Sequence, residues 1–126
     1  MAEMLQSFGV TATSDGLTTG LIPAHAFTSA GGFVTITSAS ADNIVTLPAI
    51  ADVEIGGKCK FYMGATGCEV RTVADSGTTI NDVDSDGSQE AAIPATHYFE
   101  VTKVTATNFL LIGYTSAGAI ATVTPD

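Results

Sequence analysis

Tryptophan is absent from this chain of 126 residues, and lysine and arginine together number 4 against 13 aspartates and glutamates. The net charge of -9 argues against a nucleic-acid partner, because phosphate-backbone recognition draws most of its affinity from lysine and arginine. Without tryptophan the usual ring platform for sugars is missing too, and Tyr62, Tyr98 and Tyr114 read as packing or rim residues. No apolar run approaches the roughly 18 to 20 residues of a membrane-spanning helix, so no membrane partner is expected. The opening "MAEMLQSFGV" carries Glu3, lacks a basic leader and soon reaches polar sequence, which does not fit a secretory signal. No Asn-x-Ser/Thr acceptor occurs, and neither do G-x-S-x-G, H-E-x-x-H or a glycine-rich phosphate loop. Enzymatic activity and a cofactor are therefore not expected.

Cysteine is scarce as well, and the pair Cys59 and Cys68 falls short of the four ligands a structural zinc usually needs. In "GKCKFYMGATGCEVRTV" a turn at Gly64-Ala65-Thr66-Gly67 would pair Met63 with Cys68, Phe61 with Val70 and Cys59 with Thr72. That register puts Cys59, Phe61, Met63, Cys68 and Val70 on one face and Lys58, Lys60, Tyr62, Glu69 and Arg71 on the other. The two cysteines share a face without being opposite, farther apart than the roughly 4.4 to 6.8 Å between α-carbons that a disulfide spans. Two buried free thiols are expected instead. The same register sets Lys60 against Arg71, with Glu69 and Glu100 as available counter-charges; this face is either solvated or meets an acidic partner surface.

What the chain does contain is 45% hydrophobic residues against 13% charged, enough for one domain with a sizeable core. Residues 1–32 mix Gly, Ser, Thr and Ala with isolated apolar positions and show no sustained period, which reads as an extended N-terminal arm. From Phe33 the texture changes to short runs rich in Val, Ile, Thr and aromatics, broken by Gly, Asn-Asp or Pro signals. No segment holds the spacing of an amphipathic helix. The expectation is an all-β chain: an arm over 1–32, then an antiparallel β-sandwich of jelly-roll type, or a small barrel, over 33–126. A hairpin turning at Ala106-Thr107-Asn108 is expected within "FEVTKVTATNFLLIGY", and its second strand, Phe109 to Ile112, is apolar on both faces. Such a strand is either central in a sheet packed on both sides or covered by another subunit.

The stretch "NDVDSDGSQE" sets Asp82, Asp84 and Asp86 at alternate positions before Gly87, like the first half of a calcium loop. The match then fails, because Ile93 stands where the bidentate glutamate belongs and only Glu90 could substitute. The simpler reading is a solvated acidic hairpin tip in which Asp-Gly supplies the turn and no metal is needed. His25 and His97, the only histidines, have no nucleophile nearby in sequence.

Several pieces in one order carry a resemblance: "LPA", "GATGCEVRT", "TINDVDSDG", "AAIPA", "ATNF" and a terminal "VTPD". Over about residues 33–126 the chain resembles small structural proteins of tailed phages, marine and cyanobacterial ones included, with Phe109 where tryptophan is usual. The resemblance implies a β-rich, trimeric virion component assembled in the host cytoplasm. Two roles compete. A decoration (cement) protein would bind the major capsid protein on the outer shell and bridge capsomers, whereas a head- or tail-fibre (adhesin) module would bind a host-surface ligand. A 126-residue chain with its own initiating Met leaves no room for a long triple-stranded shaft, which favours decoration.

Overall fold

The computed structural model describes residues 7–84 and 90–121. Among them the chain is all-β: β1 (Ser7–Thr11), β2 (Gly32–Thr37), β3 (Ile44–Thr46), β4 (Lys58–Met63), β5 (Cys68–Arg71), β6 (Thr79–Ile80), β7 (Val83–Asp84), β8 (Ala91–Ile93), β9 (Tyr98–Lys103), β10 (Asn108–Tyr114) and β11 (Ile120–Ala121). Helical geometry is confined to three single turns of 3-10 type, at Thr18–Gly20, Ala24–Ala26 and Ile50–Asp52. Among the described residues no helix is long and apolar enough to cross a membrane. A long sheet runs β1-β2-β4-β9-β10-β6-β7 with β11 also on β10, and a short sheet runs β3-β5-β8.

The expected antiparallel sandwich, jelly roll or barrel is corrected by the pairing. β1, β2 and β4 lie parallel, and so do β3 and β5. Ser7 faces Phe33, Gly32 faces Cys59 and Ile44 faces Glu69, so partners stand 25 to 27 residues apart. A parallel connection needs a crossover of a dozen or more residues. Here the crossover is a pass through the other sheet, and the chain winds as a short two-sheet β-solenoid. Alternating strands broken by turns suit a sandwich and a solenoid equally well; only the spacing between partners separates them.

The same winding corrects the arm. Residues 7–32 form the first coil rather than an extension outside the fold. β1 pairs along its length with β2, Thr13 bridges Ile44, and Leu21 bridges Thr46 in parallel. Val10, Ala12, Ile22, Ala26 and Phe27 are buried in the one core, where the Phe27 and Phe109 rings lie 5.8 Å apart.

Successive coils turn the same corner. Ile22-Pro23-Ala24 and Gly31-Gly32 recur as Leu47-Pro48-Ala49 and Gly56-Gly57. In each copy a buried aliphatic residue is followed by a proline, which cannot continue the ladder, then by one tight turn and a glycine pair. Gly31 and Gly56 hold φ of 90° and 89°, a left-handed backbone that glycine alone adopts without strain.

Inward positions then stack in rows between the sheets. Phe8, Val34, Phe61 and Phe99 are neighbours across four strands, and the Phe61 and Phe99 rings stack at 5.3 Å. Full burial of side chains of this size stabilises by about 1.5–3 kcal/mol each. Cys59 and Cys68 are both buried and free. They belong to different sheets, because the expected β4–β5 hairpin does not form: β4 pairs with β2 and β9, and β5 with β3 and β8. The inward set proposed for these strands is nevertheless buried.

Antiparallel strands close the winding. β8 lies on β5, β9 on β4, and the link between them runs back over the turn at 64–67. There the Thr96 N–H donates to Gly64 O (2.9 Å) and the Met63 N–H to His97 O (3.0 Å). A β-carbon on Gly67 would sit 2.3 Å from the Ile93 carbonyl oxygen, so only glycine permits this approach. Lys103 occupies an inward position of β9, yet its ammonium donates to Ile50 O (2.8 Å) and Val53 O (2.7 Å) and ties the second corner to the closing strand.

Candidate interaction face

One face of the long sheet points inward at alternate residues, and the other is left outside. Its outer positions form two cross-strand rows. The first runs Ile112–Glu100–Lys60–Phe33, and the second runs Tyr114–Tyr98–Tyr62–Thr35–Gly9. Beyond the first row Leu110, Thr102 and Lys58 are neighbours in the same way. Phe33 is 42% exposed, Tyr62 45% and Leu110 39%, so the face carries large apolar side chains in water. Phe33 and Leu110 stand on β2 and β10 with Lys58, Lys60, Glu100 and Thr102 between them on β4 and β9, the mixture of apolar and polar groups that protein contacts use.

Lys58 and Lys60 do not share a face with Arg71, contrary to the expected hairpin register, and Lys103 lies apart from all three. Lys58 and Lys60 lie on this outer face, with Lys60 opposite Glu100 rather than Arg71. The Lys60 and Lys58 stems pass over Gly31, where a β-carbon would meet them at 3.1 and 3.6 Å. Lys103 points inward. Arg71 stands on the short sheet, where its guanidinium donates to the Asp15 carbonyl oxygen and to Thr46 Oγ1. That bond pins the turn at 13–17, in which the Leu17 N–H and Thr13 hydroxyl hold the Asp15 carboxyl below its usual range, with a smaller contribution from Arg71. The outer face of the long sheet thus brings Lys58 and Lys60 together with Glu100 in an otherwise acidic molecule.

All three tyrosines fall in one row, an arrangement no local pattern reveals, because Tyr62 and Tyr98 meet only through the β4–β9 pairing. The Tyr98 and Tyr114 rings lie 5.9 Å apart at 40°. Burial, then the nearby Glu100 and Tyr114, raise the Tyr98 phenol above its ordinary range. Beside Tyr62 the face dips into a groove of about 350 Å³ at the ends of β2 and β4.

The acidic stretch is only partly described. Asn81 and Asp82, with φ of 52° and 65°, form a two-residue turn between β6 and β7, the type that asparagine and aspartate favour. Asp82 therefore does not lie in an extended run with Asp84. Asn108 Oδ1 accepts the Asp82 N–H (3.0 Å), and the Asn81 side chain bonds the Leu111 backbone in both directions. Asp86 and Gly87 lie outside the described residues, and Glu90 is half-buried. Among the described residues no cluster of three or more His, Cys, Asp or Glu is arranged to hold a metal.

The histidines are far apart in role. His97 Nδ1 lies 2.8 Å from Ala95 O, and its ring stacks on Phe99. His25 is exposed, edge-on to Phe8, and borders an open cleft of about 430 Å³ with Asp52 and Glu54. Neither stands in a triad with a nucleophile among the described contacts. Comparison of the chain with protein-family models, curated proteins and solved structures finds no match.

Proposed function

We propose that the protein is a capsid decoration protein of a tailed phage, binding the major capsid protein through the basic and aliphatic half of the outer sheet face. The carrying observation is the grouping of Phe33, Lys58, Lys60, Leu110 and Ile112 on one rigid sheet of a molecule whose net charge is -9. Apolar side chains supply the area such contacts need, and the lysines supply complementarity to an acidic shell. The resemblance over residues 33–126 supports the same role. Self-association as a trimer is what the resemblance implies.

Binding of purified protein to empty shells tests the reading. The double variant Lys60→Glu, Leu110→Asp alters only outward positions and should keep the fold while losing shell binding by at least tenfold. Undiminished binding by that variant would remove the proposal. Sedimentation should give about three times 12.8 kDa, and a monomer at micromolar concentration, in solution and on the particle, would remove the trimer. Copy number on virions separates the roles, since decoration requires hundreds of copies and a fibre module a few dozen or fewer.

A further inference from the structure

The second half of the outer face differs in chemistry from the first. Along its row the side chains step down from three tyrosines to Thr35 and then to Gly9, where a β-carbon would have nothing within 4 Å. Tyr62, the last ring of the row, is 45% exposed and forms a wall of the groove of about 350 Å³. Thr35, Thr37, Ser38, Thr66 and the turn at Gly64-Ala65 line the rest. The hydroxyl of Ser38 is taken by Ser40 O at 2.6 Å. Those of Thr35, Thr37 and Thr66 donate to no protein group among the described residues. Among the described residues no charged side chain lines the groove.

Each ligand class meets a different fate here. A charged ligand would find no counter-charge. A wholly apolar one would strip water from three hydroxyls without replacing their hydrogen bonds, which disfavours it. An extended peptide cannot add to the ladder, because β2 is already paired with β1 and β4, and β4 with β2 and β9. A pyranose has what the groove asks for: an apolar face of C–H bonds to lie on an aromatic ring, and neutral hydroxyls around its rim. The geometry points to a binding site for a neutral saccharide, with Tyr62 as the stacking ring and Thr35, Thr37 and Thr66 as the hydrogen-bonding groups. The row Tyr98–Tyr114 continues the aromatic strip beyond the groove, so an oligosaccharide gains more contact than a single sugar. This site does not rest on shell docking, and it serves a decoration protein and a fibre module alike.

The test is a screen of the full chain against an array of neutral glycans, then titration of the soluble oligosaccharides that bind, followed by amide chemical shifts. Shifts are expected at Gly64, Thr66 and Thr35. Tyr62→Ala should weaken binding by at least tenfold, Tyr62→Phe by less than threefold, and the pair Thr35→Val, Thr37→Val by about tenfold. All are outward positions, and an unchanged melting temperature checks that each variant folds. No binding of any neutral glycan at millimolar concentration would overturn the site, and so would binding indifferent to Tyr62→Ala. If Tyr62→Ala abolished shell binding while no glycan bound, this half would belong to a protein contact and the inference would fail. Shell binding by the Lys60→Glu, Leu110→Asp variant is read separately, so failure of the docking proposal leaves this result standing.

Discussion

Strand partners in the coils stand 25 to 27 residues apart, whereas in the β9–β10 hairpin Lys103 and Phe109 stand six apart. The hairpin is defined by its own turn, in which the Val104 N–H donates to Asn108 O and Thr105 Oγ1 accepts the Asn108 N–H. A coil has no such local device. Its register depends on a corner repeated one circuit later and on the neighbouring coil already being in place. Local pairings close short loops and form early; distant ones wait for larger losses of chain entropy. One molecule thus contains a closure able to form by itself and a winding that needs support, and their inner faces meet in a single core.

The Phe61–Phe99 stack joins the two regions, so Phe99→Ala should have the largest effect, a loss of about 3–5 kcal/mol. A single cooperative thermal transition is expected to move down as a whole. Two separated transitions would show instead that winding and closure are independent units. Gly67→Ala attacks the other junction, forcing a β-carbon against Ile93 O, and should cost about 1–3 kcal/mol. Hydrogen exchange should speed up first at the Thr96 and Met63 amides and leave the β1–β2 ladder slower; uniform acceleration would blur the distinction between the regions.

Lys103→Met keeps most of the stem but takes the ammonium donor from Val53 O and leaves Ile50 O with only the Val53 N–H, at a cost of about 1–3 kcal/mol. A chemical melt should register it, and an unchanged midpoint would mean the second corner holds without the closing strand.

Alkaline titration gives a smaller, graded effect. Burial pushes the Cys59 thiol, in the third coil, up to about 12, and burial together with Glu69 does the same for Cys68. A thiol in the unfolded chain ionises near 8.5, so above that pH the unfolded state sheds protons that the folded state keeps. Stability should hold below about pH 8.5 and decline from there towards about pH 12. Cys59→Ala should flatten the decline even if it lowers stability at neutral pH. The smallest effect is expected from calcium: with Asp82 committed to a turn, millimolar calcium or chelator should leave the melting temperature unchanged. An upward shift of several degrees, lost in Asp84→Asn, would reverse that expectation.

The unequal spacing also explains what the sequence revealed. Period-two alternation identified the inward faces of β4, β5, β9 and β10, because each strand buries every second residue whatever it pairs with. It does not say which strands are neighbours: the turn between Met63 and Cys68, which local pattern reads as a hairpin, passes from one sheet to the other. The first coil reads as an arm because its pass along the short sheet is reduced to single bridges at Thr13 and Leu21. The recurring Pro-Ala and Gly-Gly pairs, 25 residues apart, were the available sign of winding. The tyrosine row carried no sign at all, since Tyr62 and Tyr98 become neighbours only once the closing strand doubles back.

The corner that recurs at Ile22–Gly32 and Leu47–Gly57 makes each circuit a unit of length. Neighbouring strands lie about 4.8 Å apart, so duplicating one 25-residue circuit would make the body taller by that step while leaving the closure and both halves of its face untouched. The length of the body along its strand-stacking direction is therefore a property that in-frame duplication can adjust one coil at a time, without redesigning either end.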